Sequence, residues 1–218
     1  MYSHLVRLDG PSTLHVAHAL RPAKGHGDDR VAIVRTGNAV IVAVADGSGG
    51  MSGGADAADR AVRLVTEYAN EKAAGEAEDW VSLIARIDAN AADASGQCAL
   101  VIAAVTEDAI VGASAGDCGA WLIADGIAEL TGQQVRKPLV GSGSAVPIPF
   151  NSTLGRRTLL LASDGLLKYA PRKAIANVAR RDDLDVAVRE LIDLPRLPSG
   201  DVPDDVAVVL CRKRAGSG

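Results

Sequence analysis

The chain has 218 residues, 48% hydrophobic and 23% charged, with 23 Lys and Arg against 27 Asp and Glu and a net charge of −4. A chain of this length buries roughly 70% of its unfolded surface without needing a disulfide or a metal, and the composition is that of a globular protein rather than a disordered one. Mild acidity, with no basic run longer than Arg212-Lys213-Arg214, argues against a general nucleic-acid binder.

Residues 12 to 20 alternate loosely and predict a first strand. Arg30 to Thr36 and Ala39 to Ala45 are apolar runs split by Gly37-Asn38, a two-residue hairpin signal. Asp46-Gly47-Ser48-Gly49-Gly50-Met51-Ser52-Gly53-Gly54 follows, with five glycines in nine residues. Ala58, Val62, Val65 and Ala69 then recur at helical spacing, and Trp80, Ile84, Ile87 and Ala91 mark a second helix with Asp79 near its start. The period changes after that. Cys98 to Val105, Ala109 to Ala115, Cys118 to Ala124 and Ile127 to Thr131 read as strands joined by Thr106-Glu107-Asp108, Gly116-Asp117 and Asp125-Gly126, the last a type I′ signal. Short turns in succession predict an antiparallel meander. Gly132 to Gly155 reads as a loop with Pro138, Pro147 and Pro149. Thr158 to Ser163 is a strand ending at Asp164-Gly165. Pro171 opens a helix, another covers Leu184 to Leu194, and Val206 to Cys211 is the last buried strand. The Arg212 to Arg214 tail is expected to be frayed and solvated.

No repeat or linker interrupts the chain, so one domain over residues 1–218 is expected. The order predicts an α+β fold, a four-layer αββα sandwich of two antiparallel β-sheets flanked by helix pairs, which buries every apolar face named above. The longest apolar runs are seven and eight residues, too short to span a membrane. Cys98, Cys118 and Cys211 are an odd set at wide spacing and read as small buried hydrophobes. With no C-x-x-C and no signal core in Met1-Tyr2-Ser3-His4-Leu5, the cytoplasm is the expected compartment. Arginine dominates the basic residues in an Ala- and Gly-rich chain, a bias of GC-rich bacterial genomes.

The chemistry sits at strand ends. Asp46, Asp164 and Asp204 each lie at one, Asp28 and Asp29 precede a strand, and Asp117 occupies a tight turn. A single Asp there is an ordinary turn residue. Several gathered at one end of a sandwich repel one another unless cations lie between them, and hard divalent cations such as Mg2+ or Mn2+ match an oxygen-only donor set.

These residues carry a family resemblance. Asp46-Gly47-x-Gly49-Gly50 followed by Gly54-Ala55-Asp56-Ala57 resembles the D-G-x-G-G…G-x-x-A signature of metal-dependent protein phosphatases, the PPM or type 2C family. Asp28-Asp29-Arg30 falls where that family has Glu-Asp-Arg, and Lys24 where it has a phosphate-binding Arg. Ala115-Gly116-Asp117-Cys118-Gly119-Ala120 resembles V-G-D-S-R-A, and Lys137-Pro138-Leu139-Val140-Gly141-Ser142-Gly143 resembles the flap region. Ala162-Ser163-Asp164-Gly165-Leu166 resembles A-S-D-G-L, and Asp204-Asp205-Val206-Ala207-Val208-Val209 resembles D-N-x-T-V-V. The matches run in family order from about residue 20 to 211.

The resemblance implies a Mg2+/Mn2+-dependent protein-serine/threonine phosphatase that hydrolyses phosphomonoesters with water activated at a binuclear centre. Asp46 would bridge two ions, Asp164 and Asp204 would complete one, and the Gly47 carbonyl and Asp28 would serve the other. Asp117 with Asp164 would face a third. Lys24 would bind phosphate, and Asp29 and Ser48 would support the site. The partner implied is a phosphorylated protein, opposing a Ser/Thr kinase, with no nucleic acid and no membrane. The chain also departs from the family pattern. Lys24 offers a point charge where Arg offers a fork, Asp28 is a methylene shorter than Glu, Ser48 is a poor acid, and Asp205 replaces Asn. They favour the alternative, a catalytically weak or inactive member that binds a phosphoprotein or partner.

Other readings fit less well. A dinucleotide turn needs glycine where Ser52 stands and a ribose-binding acid at a strand end, whereas Glu67 falls mid-helix. No Lys-Ser or Lys-Thr follows the glycines, so there is no P-loop. Gly50-Met51-Ser52-Gly53-Gly54 matches G-x-S-x-G, but that fold needs its histidine last, and His4, His15, His18 and His26 all precede Ser52. His15 and His18 would point to opposite faces of a strand, which argues against a zinc pair.

Overall fold

The computed structural model describes residues 13–48, 53–71, 75–91 and 96–214. Strand β1 (Leu14–Arg21) is followed by the hairpin β2 (Arg30–Thr36) and β3 (Ala39–Ser48), helices α1 (Gly53–Glu71) and α2 (Ala77–Ala91), and strands β4 (Gln97–Val105), β5 (Ile110–Ala115), β6 (Gly119–Ile123), β7 (Ile127–Glu129), β8 (Ile148–Ser152) and β9 (Thr158–Ala162). Helices α3 (Asp164–Leu167), α4 (Arg172–Ala179) and α5 (Leu184–Asp193) and strand β10 (Val206–Lys213) complete the chain. Gly49, Gly50, Met51 and Ser52 of the glycine-rich stretch lie outside the described residues.

The strands form two antiparallel five-stranded sheets, ordered β1-β10-β9-β6-β7 and β2-β3-β4-β5-β8. Helices α1 and α2 pack on the second sheet, and α5, joined by α4, packs on the first. This is the expected αββα layering, and strand parity explains it. Every residue from Ala39 to Ala45 is buried, because the strand is covered on both faces. Val40, Val42 and Val44 enter the core between the sheets with Leu159, Leu161 and Val209. Ile41, Ala43 and Ala45 face α1 and α2, meeting Ala58, Val65, Trp80 and Ile84. On the far side Leu160 and Val208 meet Ile175, Leu184 and Leu191. In β1, Leu14 and Val16 pack between the sheets while Ala17 and Ala19 face the helices, so His15 and His18 fall on opposite faces.

Four expectations need correction. The meander is broken: β4 pairs with β5 and β6 with β7, but β5 and β6 belong to different sheets. Gly116, at φ +97°, turns the chain out of one sheet and into the other, a conformation open to glycine. Short turns do join the strands, but a sandwich can use a short turn to change sheets. The loop from Gly132 to Gly155 contains β8, an edge strand paired only with β5, where Pro149 is tolerated because it lies at the rim. Asp125-Gly126 is not a type I′ turn. Ile123 pairs with Ile127 across a three-residue loop, and Gly126 takes no positive φ. Finally, Arg212 and Lys213 are not a frayed tail. They extend β10 in register with His15 and Leu14.

Candidate active site

Strand β3 runs out at Asp46-Gly47-Ser48, in register with Ala99, Cys98 and Gln97 of β4. The chain can leave the sheet there because neighbouring backbones close in on glycine. A Cβ on Gly47 would overlap the Gly54 carbonyl and lie 2.8 Å from the Asp28 carbonyl oxygen. The D-G pair after β9 obeys the same constraint. A Cβ on Gly165 would overlap the carbonyl of Asp205. These close approaches draw β3, the start of α1, the Asp28 loop, α3 and the start of β10 to one end of the sandwich.

Four carboxylates meet in one field there, each from a different strand end. Asp46 closes β3, Asp117 lies between β5 and β6, Asp164 follows β9, and Asp204 precedes β10. Burial pushes the Asp46 carboxyl up to about 8, and Asp164, Asp117 and Asp204 add to the rise. A hydrogen bond from the Asp164 backbone N–H opposes it. Asp164 is itself raised, first by burial and then by Asp117 and Asp204, while Lys168 and Arg136 pull it down. Each group makes its neighbours harder to ionise, as like charges in a partly desolvated site must.

Asp29 lies beneath this group, 5% exposed. Burial and then the Asp46 charge hold its carboxyl well above the usual range. Its Oδ2 accepts the Ser163 hydroxyl at 2.6 Å, and Ser163 Oγ accepts the Ala207 N–H at 2.9 Å. Its Oδ1 is buried with no partner.

Asp205, where the phosphatase pattern has Asn, fastens the preceding loop. Its Oδ1 accepts the Ala23 N–H at 2.7 Å and its Oδ2 accepts the Asp28 N–H. Lys24, exposed, rides on that clamped loop, and Ser48 is exposed at the end of β3. Of the residues expected at the site, Asp46, Asp117, Asp164, Asp204 and Asp29 bear on one another by charge, Asp28 and Gly47 meet where the Asp28 loop closes on the start of α1, and Lys24 and Ser48 stand at the surface. Sequence reading missed the clamp by Asp205 and the bridge by Ser163. The S-D-G and D-D motifs held both residues, but their backbone partners are distant in the chain.

The donors are oxygens alone, matching Mg2+ or Mn2+, and the mutual repulsion at Asp46 is of the kind a cation relieves. Among the described residues, no three or more Asp, Glu, His or Cys side chains stand already arranged to hold an ion. The donor set therefore fits in kind. The cysteines take no part. Cys98, Cys118 and Cys211 are buried free thiols. Burial pushes Cys98 and Cys211 to about 12 and Cys118 well above its usual value.

The αββα frame is shared with solved bacterial serine/threonine phosphatases. The family model Protein phosphatase 2C matches residues 22–144, more than half of the chain, and the protein belongs to that family. The match takes in Lys24, Asp28, Asp46 and Asp117 and ends before Asp164 and Asp204.

Solved structures of bacterial serine/threonine phosphatases are similar over nearly the full length. Stp1 from Staphylococcus aureus has 20% identity and a TM-score of 0.81, covering 93% of this chain and 96% of its own. PstP/Ppp of Mycobacterium tuberculosis has 17% identity and a TM-score of 0.74, covering 93% and 99%. A PstP catalytic domain in complex with two manganese ions has 18% identity and a TM-score of 0.75, covering 91% and 98%. At these identities the likeness concerns the fold. No curated protein matches the chain. Among the described residues, no helix is long and apolar enough to cross a membrane.

Proposed function

We propose that residues 1–218 act as one phosphatase domain that hydrolyses phosphoserine and phosphothreonine in proteins. The observation that carries this reading is the Asp46 group: four carboxylates from four strand ends, with the central one pushed up to about 8 by burial and by the other three. A folded chain gains nothing from such repulsion unless positive charge enters the site.

Two divalent cations, Mg2+ or Mn2+, would be held by Asp46, Asp28, Asp164, Asp204 and the Gly47 carbonyl, with Asp117 and Asp164 available to a third. When bound they would supply Lewis acidity toward the phosphoryl oxygens and a water acidic enough to attack phosphorus. The remaining work belongs to the chain. Lys24 holds the phosphate by charge from the loop that Asp205 clamps. Asp29, fixed by Ser163, supports Asp46 from beneath. Ser48 does not protonate the leaving alkoxide, because a hydroxyl is a weak acid at neutral pH, so solvent supplies that proton. No side chain forms a bond to phosphorus. The substrate would be the product of a Ser/Thr kinase, met in the cytoplasm.

The test is hydrolysis of p-nitrophenyl phosphate and a phosphothreonine peptide with Mn2+, with Mg2+, and after exhaustive EDTA treatment. Turnover with either cation and none after EDTA is expected. Full activity surviving EDTA would overturn the reading. The exposure of Lys24 and Ser48 favours a second reading: a member that binds phosphoprotein without cleaving it. That reading predicts saturable binding of the phosphopeptide with Mn2+ and no release of phosphate.

A further inference from the structure

Asp88 is a carboxylate in an unfavourable place. It lies in the last turn of α2, where the helix dipole repels negative charge, and it is 5% exposed. A buried carboxylate needs donors, and one loop supplies three. Gly141 and Gly143 donate their N–H groups to Oδ1 at 2.7 and 3.0 Å, and Ala145 donates to Oδ2 at 2.9 Å. Gly141 and Gly143 take φ values of +100° and +74°, a backbone that turns successive N–H groups inward as a nest for an anion. The nest is filled by the protein's own helix.

The same loop is fastened to the candidate site. Val140 exchanges both backbone hydrogen bonds with Cys98, at 2.9 and 3.0 Å, and Cys98 is the register partner of Gly47. The Val135 carbonyl accepts the Gly116 N–H at 3.3 Å, and the Gln134 amide donates to the Cys118 carbonyl at 2.9 Å. These two contacts flank Asp117 on both sides. Arg136, exposed just after Val135 in the chain, bears by its charge on Asp164.

We propose that Asp88 is a positioning residue, a latch that holds residues 132–147 against the Asp117 edge of the site and so sets how a phosphopeptide seats there. It touches no substrate itself. The proposal rests on the phosphatase reading for its substrate and on hydrogen bonds alone for the latch.

Two variants break the latch from opposite sides. Asp88→Asn removes one acceptor and points an amide N–H at a backbone donor. Gly143→Ala strains the nest at an exposed position and leaves α2 untouched. Hydrogen exchange on the full chain should show faster exchange at the amides of 141–145 in both variants. In the Mn2+-loaded enzyme, KM for a phosphothreonine peptide should rise about tenfold with kcat within about threefold, a split that mere loss of folded protein would not give. The small substrate p-nitrophenyl phosphate should be affected less. Unchanged exchange at 141–145 in both variants overturns the latch, as does faster exchange with an unmoved peptide KM. An effect from Asp88→Asn alone, with Gly143→Ala like wild type, would assign Asp88 to helix stability and also overturn it. A wild type that hydrolyses neither substrate overturns the phosphatase reading and the seating role with it, while the exchange data still decide the latch.

Discussion

Asp205 carries two hydrogen bonds that asparagine could not. Its two oxygens face two separate backbone donors, Ala23 N–H and Asp28 N–H, and an amide has one acceptor oxygen to offer. The departure from the D-N pattern is therefore coupled to the loop that carries Lys24. Asp205→Asn is expected to lower stability by about 1–3 kcal/mol, the cost of leaving a donor unsatisfied, and to raise KM by loosening Lys24. Thermal melting and steady-state kinetics on one preparation read both effects, and a variant with wild-type Tm and KM would refute the clamp. Lys24→Ala should leave Tm unchanged and lower kcat/KM by roughly 1–3 kcal/mol, the value of a charged hydrogen bond. If its KM stays at the wild-type value, Lys24 is only a surface charge. At this scale the sequence announced the aspartates, because D-G pairs punctuate strand ends. It could not announce Asp205, whose partners lie 182 and 177 residues away.

Among elements, the strand ends are held by backbone packing on glycine. Gly165 abuts the Asp205 carbonyl, so Gly165→Ala must push α3 away from the start of β10, while Gly126 has open space around it and an ordinary φ. The two substitutions should move in opposite directions. Gly126→Ala stabilises by about 0.4–1 kcal/mol through the unfolded chain. Gly165→Ala costs about 1–3 kcal/mol or more, as overpacking does, and it separates Asp164 from Asp204. Urea denaturation of both measures the difference, and a Gly165→Ala protein as stable as wild type would show that this contact yields freely. The helices and buried strands were legible because their periods are long and strong. Strand β8 was not. It is short, alternates around Pro149 and sits among other prolines, so local signals read as loop while pairing with β5 made it a strand.

For the whole molecule, the sandwich is legible from layering but its connections are not. Nothing local says whether a tight turn such as Gly116-Asp117 closes a hairpin or changes sheets; the second sheet decides. That change of sheet carries Asp117 to the end where Asp46, Asp164 and Asp204 gather, and the price is a charged, self-repelling end. Its consequence for stability has a definite sign. The Asp46 carboxyl has an ordinary value of 3.8 and is raised to about 8 in the folded chain, with Asp29 and Asp164 also raised. A group raised on folding contributes stability that is fully present below its unfolded pKa and is lost as pH rises through its folded pKa. Metal-free protein should therefore weaken steadily from about pH 4 to pH 8, by up to about 1.4 kcal/mol per pH unit for each group titrating there. EDTA-treated protein should melt lower at pH 8 than at pH 5.5. Asp46→Asn removes the central charge and should lose most of that difference. Added Mn2+ should raise Tm at pH 8 in the wild type by mass action on the folded state, and far less in Asp46→Asn. A metal-free wild type whose Tm is flat from pH 5.5 to 8, or an Asp46→Asn protein that Mn2+ stabilises as strongly as wild type, would show that Asp46 is not the centre of the charged group.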